Sequence, residues 1–111
     1  MPDKEDGLIA IQLARWATQL GVTQAALAVL SDDFDPASAS SSDAAVTPLL
    51  EFGETVGTLT KHGLLDTALV QDLWWFDGIW QRVAAAAEKD RDRFGEPGLW
   101  ANFEALASPT D

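Results

Sequence analysis

Residues 59–70 read LTKHGLLDTALV, a stretch that ends one helix and starts the next. Gly63 fits the left-handed position just past a helix C-terminus, with Leu59 and Leu64 spaced for the apolar contact of a Schellman ending. Asp66 then serves as an N-cap. Leu65 before it and Val70 four positions after it make a hydrophobic staple, so the segment predicts a helix, a tight glycine turn and a returning helix in an antiparallel hairpin. His62, the only histidine, precedes the glycine, where an imidazole interacts with the last carbonyls of the helix.

Upstream of the turn, Thr47 and Pro48 place a capping hydroxyl before a proline at the first helical position, which predicts a helix from there to His62. Its buried stripe is Leu49, Phe52, Val56 and Leu59. Gly53 and Gly57 lie inside this pattern, where small residues let helices approach closely rather than cradle a phosphate. Downstream, the returning helix is predicted to bury Leu69, Leu73, Phe76, Trp80, Val83 and Ala87.

That stripe accounts for only part of residues 73–80, LWWFDGIW, which hold three tryptophans and a phenylalanine. At 3.6 residues per turn Trp74 lies about 100° to one side of the stripe near Gln81, and Trp75 about 160° to the other, over Gln71 and Arg82. Both cannot face one core. Asp77-Gly78 is a turn signal, and a glycine within a helix costs roughly 1 kcal/mol relative to alanine, so a kink or break there would rotate one ring inward.

Ile9, Leu13, Trp16 and Leu20 form the apolar stripe of an N-terminal helix that Gly21 ends. Thr23 is expected to cap a short second helix carrying Ala26, Leu27 and Leu30. Residues 31–45 are mostly Asp, Ser and Ala, too polar to pack, and read as a flexible loop. The run 88–93, EKDRDR, alternates in sign and reads as a solvated helix face. Gly95 and Pro97 mark a stop and a new start, and Leu99, Trp100, Phe103 and Leu106 give a short last helix that closes the hairpin. The expectation is an all-α fold: one small helical bundle over residues 1–111, braced by the N-terminal helices.

At 111 residues, 47% of them hydrophobic, the chain can close one core without staples. There is no cysteine, which removes disulfides, thiolate nucleophiles and thiolate metal sites. The formal net charge of −11 disfavours nucleic acid and anionic lipid as partners. The acidic start MPDKEDG lacks the basic region of a secretory signal, and Gln12, Arg15, Gln19 and Gln24 interrupt residues 8–30 too often for a membrane span. A cytoplasmic setting is expected.

Reaction chemistry is sparse. No Gly-x-Ser-x-Gly elbow accompanies His62, and Asp32, Asp33 and Asp35 lack the remainder of a calcium loop. No catalytic residue, cofactor, metal or small-molecule substrate is therefore expected. Trp16, Trp80 and Trp100 are read as core, leaving one of Trp74 and Trp75 exposed beside Arg82, a composition typical of interaction hot spots. The expected function is a non-enzymatic helical module that binds a protein partner or a second copy through Trp74, Trp75 and Arg82. The alternative is an acidic inhibitor from a phage or mobile element, imitating nucleic acid to block the basic site of a nucleic-acid enzyme.

Leu50 and Glu54, the turn Gly63-Leu64-Leu65-Asp66, Trp80, Arg91 and the closing residues 99–106 together carry a resemblance. From Leu49 to Ala107 the chain resembles an uncharacterised family of small all-helical domains found mainly in bacteria and their phages. The resemblance implies an all-helical domain with no assigned activity, many of whose members carry an N-terminal membrane helix. It also draws notice to Glu54, close to the buried stripe, for which Arg82 or Arg91 is the expected partner in a structural ion pair.

Overall fold

The computed structural model describes residues 3–107 and contains, among these, six α-helices and no strand. Helix α1 (Lys4–Leu20) opens on a capping box, in which the Asp3 carboxylate accepts the Asp6 N–H and the Asp6 carboxylate accepts the Asp3 N–H. Gly21, at φ 76°, ends α1 and immediately starts α2 (Val22–Leu30). Sharing that glycine moves the start of α2 ahead of Thr23, which lies inside the helix instead of capping it. The buried face becomes Val22, Ala25 and Val29, and Leu27 is left exposed.

Helix α3 (Val46–Lys61) also begins earlier than its sequence suggests. Thr47 lies in the first turn, where its hydroxyl donates to the Ser41 carbonyl instead of capping the helix. The C-terminal end follows the expected chemistry. Gly63 has φ 71°, the Leu64 N–H donates to the Leu59 carbonyl and the Gly63 N–H to the Thr60 carbonyl, which together complete a Schellman ending. Asp66 caps α4 (Thr67–Leu73) by accepting the Leu69 N–H at 2.9 Å, with Leu65 and Val70 buried on either side. The Asp66 N–H in turn donates to Asp6, tying the start of α1 to this turn.

The returning helix is two helices. Trp74 is extended, at φ −137° and ψ 143°, and α5 (Phe76–Phe94) starts anew after Trp75. The break falls ahead of Asp77-Gly78, which lie in the first turn of α5. Its cause is the Trp74 ring, which turns in against Phe52, with ring centroids 5.1 Å apart and edge-on, and against Phe76 at 6.0 Å. Burying an indole outweighs the loss of a few ladder bonds. Leu73, read as part of the core stripe, is left half exposed at the end of α4.

Helix α6 (Ala101–Ala107) closes over α3 and α5, while α2 braces both and α1 rests mainly on α2. The close approach of α3 and α6 depends on two glycines. A Cβ on Gly57 would fall within 3.0 Å of the Asn102 carbonyl, and one on Gly53 would meet the Phe103 ring. Leu99 and Trp100 precede α6 instead of joining it, and Trp100 adopts a left-handed φ of 63°. A bulky residue there costs about 1–3 kcal/mol and persists only when its surroundings hold it. One continuous core draws on all six helices.

Candidate functional site

Three segments carry the side chains that sequence reasoning singled out, and the structure separates them. Trp75 sits between α4 and α5 and is 63% exposed. Its ring rests on the α5 backbone at Gly78, where any Cβ would collide with it. A glycine that looks like a helix breaker thus serves as the seat of an aromatic ring. Leu73, two positions before Trp75, is 50% exposed, and Asp77, two positions after it, is exposed as well. The ring overlooks an open depression of about 310 Å³, whose walls include Gln71, Trp74, Asp77 and Leu106. Gln71 donates from its side-chain amide to the Leu106 carbonyl at 3.2 Å, fixing that wall to α6. Trp74 contributes from the core side and is not an exposed binding ring.

Arg82 does not belong to this shelf. Its guanidinium donates to the carbonyls of Val29 at 2.6 Å, Ser31 at 2.9 Å and Phe34 at 3.0 Å, and it lies over the Phe34 ring. It therefore satisfies the open carbonyl end of α2, where a cation also complements the helix dipole. Lys89 acts in parallel on the carbonyls of Ala37 and Ala39. Residues 31–45, expected to be too polar to pack, are docked on α5, with a short 3₁₀ turn at Pro36–Ser38 and Ala39 buried.

Glu54 does not pair with Arg82 or Arg91. Its carboxylate accepts the Phe103 N–H at 3.0 Å and so caps the start of α6 from a neighbouring helix. Asn102 supports the same junction by donating to the Thr58 hydroxyl. Arg91 instead pairs with Glu88 and, at 2.8 Å, with Glu104, and donates to the Leu99 carbonyl at 2.7 Å. Burial works against its charge, but the two carboxylates outweigh that and raise its pKa. These two contacts are the ion pairs among the described residues.

Sequence reasoning passed over Asp90, the buried acid of the EKDRDR run, only 5% exposed. It accepts the Ser41 hydroxyl at 2.7 Å and the Trp100 indole N–H at 2.9 Å, holding the docked loop and the strained Trp100 to α5 at one point. Its spacing was a usable signal. Phe76, Trp80, Val83 and Ala87 advance by four, three and four, and the next step of three lands on Asp90.

A second, shallower groove of about 680 Å³ runs along α3 and α6, lined mostly by small side chains such as Gly57, Thr67, Ala101 and Ala105. Among the described residues no group of three or more His, Cys, Asp or Glu could hold a metal ion, and no helix is long and apolar enough to cross a membrane. A family model described as "Domain of unknown function (DUF4760)" matches residues 12–108. No curated protein and no solved structure matches the chain.

Proposed function

The chain belongs to this family of domains of unknown function, and we propose that it is a non-enzymatic, cytoplasmic interaction module that binds another protein through the shelf around Trp75. The observation that carries this reading is the seating of Trp75 itself. A tryptophan 63% exposed, backed by a glycine and preceded two positions earlier by a half-exposed leucine, is an apolar surface held in place before any partner arrives. Large amphipathic rings of this kind anchor interfaces at low cost in conformational entropy.

A buried tryptophan removes 150–250 Å² from water. The part of Trp75 still exposed therefore offers roughly 2–4 kcal/mol of gross apolar burial, enough for a hot spot. The depression beside it is lined by amide, aromatic and aliphatic groups with the single carboxylate of Asp77, a set that suits contact better than bond making.

The test is retention from a native-host extract by the intact chain and by Trp75→Ala. Retention of a protein by the intact chain and its loss by the folded variant is the expected result. Equal retention by both would remove the shelf from the interaction.

A further inference from the structure

The charged residues nearest Trp75 in sequence are both acidic. Asp72 precedes Leu73 on the exposed side of α4, and Asp77 lines the depression beneath the ring. The cations that sequence order places nearest are committed elsewhere. Arg82 and Lys89 are bound to loop carbonyls, Arg91 to Glu88 and Glu104, and Arg93 lies over Phe94. Lys4, Arg15 and Lys61 belong to α1 and α3. The depression thus combines an electron-rich ring with a carboxylate, and no cation lines it.

We infer that the partner presents a basic, apolar segment, with an arginine or lysine over the Trp75 ring and its charge toward Asp77, exposed Asp72 adding to the negative field, and with an aliphatic residue to meet exposed Leu73. This rests on the interaction reading given above and adds the chemistry of the partner. Cations are drawn to the face of an indole within about 6 Å, and arginine stacks on such rings while its donors reach carboxylates. A second copy of the chain fits poorly. A twofold contact through this patch would set Asp72 and Asp77 against their own duplicates, between molecules that each carry a net charge of −11.

The experiment is selection of a random peptide library on the intact chain, followed by affinity measurement of the enriched peptides. Binding is compared for the intact chain, Trp75→Ala and the double variant Asp72→Asn/Asp77→Asn at low and high salt, with circular dichroism confirming that each is folded. Enrichment of peptides with arginine or lysine next to an aliphatic residue is expected. Their affinity should fall about tenfold or more in Trp75→Ala and about three- to tenfold in the double variant, and it should weaken with salt. Peptides that need Trp75 but lack basic residues, and are indifferent to salt and to the double variant, overturn the basic-partner inference while leaving the interaction surface standing. Enrichment of no peptide that depends on Trp75 overturns both.

Discussion

Replacing Gly57 with alanine should destabilise the protein, whereas replacing Gly7 with alanine should stabilise it. Both glycines lie within helices, where intrinsic propensity alone favours alanine by about 0.8–1.0 kcal/mol. At Gly7 nothing lies within 4 Å of the added methyl group, so that gain should appear nearly in full. At Gly57 the methyl would fall within 3.0 Å of the Asn102 carbonyl oxygen and carbon, and at 3.1 Å from the Phe103 nitrogen. These are backbone atoms at the start of α6, which cannot swing aside as a flexible side chain would. Relief requires α6 to retreat, and that retreat strains the Glu54 contact to the Phe103 N–H and the Asn102 contact to Thr58. Overpacking costs about 1–3 kcal/mol, and each weakened hydrogen bond about 1 kcal/mol more. Set against the propensity gain, the net loss is about 2–4 kcal/mol. Urea unfolding followed by circular dichroism reads both variants, and with a slope of about 1–3 kcal/mol per molar the midpoints should separate in opposite directions. A Gly57→Ala variant as stable as Gly7→Ala would refute the close approach of α3 and α6.

Three further outcomes are expected. Asp90→Ala leaves the Ser41 hydroxyl and the Trp100 indole N–H without their acceptor, so the unfolding free energy should fall by about 2–4 kcal/mol; a loss under 0.5 kcal/mol would contradict the buried contact. Glu54→Gln, which keeps an acceptor for the Phe103 N–H, should cost well under the roughly 1 kcal/mol expected of Glu54→Ala, a gap that thermal melting can check and that an ion pair, lost equally in both variants, would close. The Asp3 and Asp66 N–H groups hold the Asp6 carboxyl below the usual carboxylate range. A folded-state pKa lowered in this way contributes stability above the unfolded value of about 3.9, which is lost as pH falls through the lowered pKa; Asp6→Asn should therefore remove part of the acid limb of a stability–pH curve, and an unchanged limb would count against the contact.

The turn at residues 63–66 was legible because its chemistry is local. A glycine at positive φ, a capping carboxylate and two apolar neighbours lie within a few positions, and no distant partner is needed to specify them. The packing role of Gly53 and Gly57 was also readable from their place in a helical stripe. The break at Trp74 was not. Helical phasing treats Trp74 as a flank position, and the ring that receives it edge-on, Phe52, lies 22 positions earlier. Leu27 was misplaced for a smaller reason, since Gly21 serves as both the end of α1 and the start of α2 and shifts the buried face. Arg82, Glu54 and Asp90 share a different cause. Each finds a partner roughly fifty positions away, a backbone carbonyl, a backbone amide or a single hydroxyl that leaves no pattern in composition.

Those distant partners bear on how the chain finds its fold. Arg82, Lys89 and Asp90 reach back 48 to 53 positions to close one long ring of chain, and α3 and α6 close another across 44 to 49. Both closures lose chain entropy before their contacts form, which slows folding relative to bundles built from sequence neighbours. Helix α5 is held in common, with its polar edge in the first ring and its packing against α6 in the second. The turn at Gly63 is specified by local signals, whereas residues 31–45 and α6 both dock on α5, which makes that helix the strut shared by the two closures.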